Sequence, residues 1–222
     1  YDPTTTLWLG TDPLKHKYPD IGAYVYCAGN PVKYVDLDGR EITKDPLTTM
    51  RVRKNRRSNT FGMVRCYADG APKPHQGVDY YACEGTPTYA VSDGIIYSYR
   101  NEGDYGIQLV LQYNDEEGNV QYALYSHLSE VSVEKGQKVS AGEPVGKTGT
   151  SGNAKGMKGE DQHLHFEIRD KPNPGKGLGG RLDPNNHLPS QFEIIDGRVI
   201  KKESIKIDNK TNIIQSNDKT NN

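Results

Sequence analysis

Between Thr86 and His127 apolar and polar positions alternate in four short runs, Thr86 to Ser92, Gly94 to Arg100, Gly106 to Asn114 and Val120 to His127, each rich in Val, Ile, Tyr and Leu. A period of two sends successive side chains to opposite faces of a pleated backbone, so each run predicts a β-strand. Gly, Asn, Asp and Glu gather between the runs, at Asn101-Glu-Gly103, Asp115-Glu-Glu-Gly118 and Glu134-Lys-Gly136, and these are turn residues. Nowhere does the spacing of a long helix recur. The pattern predicts a mainly β protein built on an antiparallel sheet with a concave face. Phe192-Glu-Ile-Ile-Asp-Gly-Arg-Val-Ile200 adds two short runs about an Asp-Gly pair, which predicts a separate β-hairpin.

Composition changes this picture at the ends. Apolar residues make up 33% of the 222, below the roughly 45–50% of an ordinary globular domain, so part of the chain is expected outside any packed core. Beyond Lys201 the sequence turns to Lys, Asn, Asp, Ser and Thr, with too little apolar surface to order itself. A formal net charge of −1 gives no footprint for nucleic acid, and the basic run Arg51 to Arg57 reads as a solvated linker. No stretch reaches the length of apolar residues that a spanning helix needs. With no initiating Met, signal peptide or lipidation motif, the chain is expected to be the end of a longer polypeptide. Cys66 and Cys83 bracket the His75/Asp79 segment and could be bridged in an oxidising periplasm, leaving Cys27 unpaired; three buried thiols are the other reading. None lies in a Cys-x-x-Cys pair, so they make poor metal ligands.

Candidate chemistry comes from three runs, His75-Gln-Gly-Val-Asp79, Tyr125-Ser-His127-Leu-Ser129 and His163-Leu-His165, which hold four of the six histidines. A catalytic zinc takes three nitrogen or oxygen ligands from the protein and leaves a fourth position to water. On a strand the i, i+2 spacing of His163 and His165 puts both imidazoles on one face, so that one can hold the metal while the other faces substrate. His75 and Asp79 have helical spacing, but Pro72, Pro74 and Gly77 oppose a helix, and the pair is placed where a loop enters a strand. Taken singly, each motif has a plainer explanation: a surface hydrogen bond for His75 and Asp79, a strand-end histidine for His127. Their combination is what points to a metal that carries water.

These residues resemble the LytM/lysostaphin-type zinc endopeptidases from about Arg57 to Leu188. The match takes in Asn59-Thr-Phe-Gly62, His75-Gln-Gly-Val-Asp79, Gly85-Thr-Pro-Thr-Tyr-Ala90, Asp93-Gly94, Tyr125-Ser-His127-Leu-Ser129, Gly136-Gln-Lys-Val-Ser-Ala-Gly142, Gly146-Lys-Thr-Gly149 and His163-Leu-His165-Phe-Glu. The resemblance implies the same antiparallel β architecture with a loop-lined groove, and one zinc ion held by His75, Asp79 and His165. It implies catalytic roles for His127 and His163, flanking the metal's water and stabilising the oxyanion at the scissile carbonyl. Glu167 is left as a solvated or outer-shell residue. Tyr80 or Tyr81 could donate to the oxyanion, although packing on the sheet explains each as well. The loop from Thr148 to Asp161, rich in glycine, could pass close to a substrate backbone, or be a flexible surface loop.

Upstream, Leu9-Gly-Thr-Asp-Pro-Leu-Lys-His-Lys-Tyr18, Tyr24-Val-Tyr-Cys-Ala-Gly-Asn-Pro-Val-Lys-Tyr34 and Val35-Asp-Leu-Asp-Gly-Arg40 resemble the end of an Rhs/YD-repeat core. In such cores a variable effector follows. Asp36 and Asp38 fall where some cores cut themselves, but Asp-Leu-Asp-Gly-Arg departs from the more frequent Asp-Pro-x-Gly form. The expected organisation is an Rhs-core-like segment at 1–45, a linker at 46–58, a zinc peptidase domain at 59–190, a hairpin at 191–200 and a disordered tail at 201–222. The expected function is a secreted metallo-endopeptidase that cuts peptidoglycan peptide stems in the periplasm or cell wall of a bacterium, as the toxin tip of an Rhs effector. Its partners would then include the rest of the Rhs shell and an immunity protein that plugs the groove. A self-directed cell-wall remodelling enzyme and an inactive binding module are the alternatives.

Overall fold

The computed structural model describes residues 44–202. The Rhs-like segment, Cys27, and the tail beyond Lys202 lie outside the described residues. Among those described there are thirteen strands and several single-turn 3-10 helices, but no α-helix, in keeping with the alternating sequence. A small antiparallel pair, β1 (Gly62–Cys66) and β2 (Pro72–His75), precedes the main sheet. The main sheet contains β3 (Val78–Tyr81), β4 (Pro87–Tyr89), β5 (Gly94–Glu102), β6 (Gly106–Asn114), β7 (Val120–Val131), β8 (Lys138–Val139), β9 (Pro144–Thr148), β10 (His163–Arg169) and β11 (Arg181–Leu182). β12 (Phe192–Ile195) and β13 (Arg198–Lys201) form the hairpin about Asp196-Gly197.

The antiparallel path runs β11-β10-β7-β6-β5-β8, with β3 beside the first half of β10 and β9 beside the second half of β7. All seven residues of β10 are buried, and alternation sorts them by chemistry. Leu164, Phe166 and Ile168 enter the apolar core with Tyr80, Leu109, Leu111 and Tyr125. His163, His165, Glu167 and Arg169 occupy the other face, which is buried as well but polar. A strand buried on both faces with polar side chains on one of them must satisfy those side chains from neighbouring elements.

Leu47, Met50 and Val52 belong to the same core, so the stretch expected as a linker is packed into the domain. Cys66 and Cys83 are exposed free thiols, neither bridged nor buried.

Candidate metal centre

β3 and β10 pair so that Asp79 lies directly opposite His165, which puts the two side chains on one face at neighbouring positions. His75 arrives from the end of β2, with two residues between it and the start of β3. Between them Gly77 crosses the backbone of β10: a Cβ there would sit 2.2 Å from the Phe166 carbonyl oxygen. Only a residue without a side chain lets His75 fold down beside Asp79.

The three side chains converge. His75 Nε2 is 3.0 Å from Asp79 Oδ1, His165 Nδ1 is 2.8 Å from the same oxygen, and the two nitrogens are 3.2 Å apart. Tetrahedral bonds of 2.0–2.1 Å to one ion would separate the donors by about 3.3 Å. The triangle is therefore close to the size that a metal requires.

The outer partners fix what each nitrogen offers. His75 Nδ1 lies 2.8 Å from the Thr60 carbonyl, which can only accept, so the hydrogen of the neutral ring sits on Nδ1 and Nε2 carries a bare lone pair. His165 Nε2 lies 3.0 Å from Glu167 Oε1, which places its hydrogen there and leaves Nδ1 bare. Glu167 is far from solvated. It accepts from Arg169 Nε at 2.7 Å, Arg181 Nε at 2.8 Å and the Tyr105 hydroxyl at 2.6 Å, and with His165 these partners overcome burial to keep it ionised far below the usual carboxylate range. Two lone pairs and a carboxylate oxygen aimed at one point repel one another unless a cation or a proton lies among them. The donor set, two imidazoles and one carboxylate, suits a borderline divalent ion such as zinc.

The metal-free electrostatics bear this out. Burial resists charge on Asp79, but its close contacts with His165 and His75 hold it well below its ordinary value. His165 is also opposed by burial, yet Asp79 and Glu167 raise it to about 9. Without a metal, a proton on His165 would take the seat among the three side chains. His75, by contrast, is lowered by burial and stays neutral.

His127 owes its place to an irregularity. In β7, Ser126 pairs with His165 of β10 whereas Leu128 pairs with Thr148 of β9, so the strand changes neighbours at the histidine. Opposite, Tyr125 meets Leu109 and Leu128 meets Ile107, leaving two residues against Gln108 alone, a β-bulge. His127 has φ of +60°, a conformation that costs a non-glycine residue about 1 kcal/mol or more. Its Nδ1 donates to the Ser151 carbonyl at 3.0 Å, which leaves Nε2 free to accept. Burial, then His163 and His165, push it down to about 4. His163 stands edge-on to it, ring centroids 4.9 Å apart, with Nδ1 2.8 Å from the Asp161 carbonyl and Nε2 3.8 Å from Asp79 Oδ1. Burial lowers this ring too.

All five side chains expected from the sequence line one cavity of about 400 Å³, joined by Arg53, Arg65, Tyr105, Asn153 and Met157. Tyr80 and Tyr81 do not line it. Tyr80 is fully buried in the core, and the Tyr81 hydroxyl lies 3.2 Å from Cys83 Sγ. Tyr105 was not anticipated, nor were the carbonyls of Thr60, Ser151 and Asp161, which leave no mark on a side-chain motif. Asn153 and Met157 bring the loop after β9 to the cavity wall.

Residues 73–177 match the model of peptidase family M23. The peptidoglycan DD-endopeptidase ShyA of Vibrio cholerae serotype O1 is 33% identical over 177 residues, covering 78% of this chain and 37% of that protein. The structure of LytU is 26% identical over 66% of this chain and 91% of its own, with a TM-score of 0.50. The catalytic domain of the antimicrobial peptidase lysostaphin from Staphylococcus simulans is 30% identical over 58% of this chain and 87% of that domain, with a TM-score of 0.45. This chain spans about a third of the length of the curated relatives it matches. The stretch that supplies both lone-pair imidazoles, the carboxylate between them and the two flanking histidines, residues 73–177, belongs to peptidase family M23, the LytM/lysostaphin type.

Proposed function

We propose that this protein is a zinc-dependent endopeptidase that hydrolyses the peptide cross-links of bacterial peptidoglycan. The observation that carries the reading is the convergence of His75 Nε2, His165 Nδ1 and Asp79 Oδ1, each held by an outer partner in the form that a metal ion needs. In this reading His75, Asp79 and His165 hold one zinc. When bound, zinc supplies Lewis-acid polarisation of a carbonyl and acidifies water. His127 stays neutral at ordinary pH and, with its Nδ1 hydrogen given to Ser151, offers Nε2 to take up the proton of an attacking water. His163, neutral as well and 4.9 Å away between ring centres, faces the same space and orients the water, while His127 hands the proton it has taken up to the leaving amine. Tyr105 is pushed well above the ordinary phenol range by burial and by Glu167, so it remains a phenol whose hydroxyl braces Glu167 behind the His165 ligand.

The peptidoglycan substrate is supported by the family and by the activity that the name of ShyA carries. For the setting, we propose the toxin domain of an Rhs-type antibacterial effector, delivered to the periplasm or cell wall of another bacterium and neutralised by an immunity protein that fills the groove. Its support is the resemblance of Leu9 to Arg40 to the end of an Rhs core. The test is to incubate the purified chain with sacculi from several bacteria and to identify released muropeptides by mass spectrometry, with and without chelator and restored zinc. Cleaved cross-links that vanish with chelator and return with zinc are expected; intact sacculi from every source would overturn the enzymatic reading.

A further inference from the structure

Behind the triad, Asp79 is gripped from a segment that precedes the M23-matched stretch. Its Oδ1 faces the two ligand imidazoles, and its Oδ2 accepts from Arg65 Nη2 at 2.7 Å and lies 3.3 Å from Arg53 Nη2. Arg65 is aimed by a second bond, from Nε to the Ser58 carbonyl at 2.7 Å. Arg53 reaches further. Nη2 donates to Asn59 Oδ1 at 2.9 Å, Asn59 donates back to the Arg53 carbonyl at 2.7 Å, and Nη1 donates at 3.3 Å to the Asp161 carbonyl that anchors His163.

Placing Arg53 there is costly. Lys54 and Asn55, the next two residues, have φ of 54° and 50°, a left-handed conformation unfavourable for side chains other than glycine. Arg53 Nε is buried without a partner. Two guanidinium groups also crowd a seat that reads as a cation site, which by charge alone weakens it. Three unfavourable features at one place, in a segment further tied by Arg51 to Glu160 and by Lys54 to Asp161, require a compensating return.

The geometry points to Arg65 and Arg53 as positioning residues that occupy Oδ2 of Asp79, so that the carboxylate offers the metal one oxygen and the site keeps an open position; Arg53 extends the same constraint to His163. This rests on the assignment of His75, Asp79 and His165 as ligands. A freed carboxylate could rotate and chelate through both oxygens, filling the position that water or a substrate carbonyl needs.

The test is cobalt substitution of the full chain in Arg65→Met, Arg53→Met, Arg65→Lys and Arg53→Lys, reading the visible d–d absorption, the cobalt affinity and the split between kcat and KM. Both methionine variants are expected to bind cobalt at least as tightly as the parent, because a repelling cation has gone. Their absorption should fall several-fold as coordination number rises, and kcat should fall about 10- to 100-fold with KM little changed. Arg65→Lys, which keeps its single contact with Oδ2, should restore the parental spectrum, whereas Arg53→Lys, which cannot span Asp79, Asn59 and Asp161, should not. Arg65 is 30% exposed and tolerates substitution, so its two variants decide the matter if Arg53→Met fails to fold. Spectra and kcat unchanged in folded Arg65→Met would overturn the proposal. Absence of cobalt absorption in the parent would instead sink the metal assignment.

Discussion

As neutral rings, neither His75 nor His165 can offer a hydrogen from the nitrogen that faces its neighbour, because each has already committed its one hydrogen to Thr60 or Glu167. That division of labour separates the ligands from the two flanking histidines in an experiment. His165→Ala removes a vertex of the triad, and metal content and hydrolysis should be lost together. His127→Ala leaves the triad intact and removes only the Nε2 acceptor; metal content should stay near one per chain while kcat falls about 10²- to 10⁴-fold, the usual worth of a proton-transfer group. Metal analysis of both proteins beside their rates checks this, and a His127→Ala chain that had lost its metal would show that the residue is itself a ligand. Glu167→Gln probes the layer behind. It leaves Arg169 and Arg181 as buried cations without an anionic partner, an imbalance that costs about 3–5 kcal/mol, and it weakens the hold on His165 Nε2. Thermal unfolding of the metal-free variant isolates the first effect, and metal titration reads the second.

Elements, more than residues, decide which of these features could be seen in advance. The i, i+2 pair on β10 was legible because a strand translates spacing directly into facing, and Leu164 and Phe166 marked the opposite face as core. The four alternating runs correspond to β4, β5, β6 and β7, and the Asp-Gly hairpin to β12 and β13, for the same reason. Arg53, Arg65 and Tyr105 were not legible, since they meet the site through tertiary packing and follow no local period. The basic run that read as solvated carries one side chain, Arg53, into the cavity wall, because a guanidinium is at home there only opposite a carboxylate that sequence places far away. Gly77 is where element and motif coincide. Gly77→Ala would drive a methyl group into the Phe166 carbonyl and to within 2.8 Å of Glu167 Cγ, parting β10 from the β2–β3 corner. A loss of about 1–3 kcal/mol is expected, with metal affinity reduced as well. Gly175→Ala, where nothing stands within 4 Å, supplies the control and should unfold as the parent does. Equal denaturation midpoints for the two variants would show that β10 yields freely.

At the scale of the whole molecule, the centre exchanges a metal for a proton, and that exchange shapes stability against pH. Without metal, His165 is raised from an ordinary value near 6.5 to about 9 by Asp79 and Glu167, against the opposition of burial. A group raised on folding contributes fully below its unfolded value and loses that contribution as pH rises through its folded one. The metal-free protein should therefore lose stability between about pH 6.5 and 9, by up to ~3 kcal/mol on the scale of 1.36 kcal/mol per pH unit. A bound ion takes the proton's place, so the metal-loaded protein should not share the alkaline loss. Saturation at 100 times the dissociation constant adds about 2.7 kcal/mol, worth roughly 5–10 °C of Tm for a domain of this size. Loading at pH 8 should release the His165 proton, in addition to any lost by the ion's acidified water, which appears in calorimetry as a binding enthalpy that varies with the ionisation enthalpy of the buffer. Melting curves of chelated and zinc-loaded protein at pH 6, 7.5 and 9 test both halves: the gap between them should widen with pH. A constant gap, with no proton released at pH 8, would mean that His165 does not hold the proton that zinc displaces.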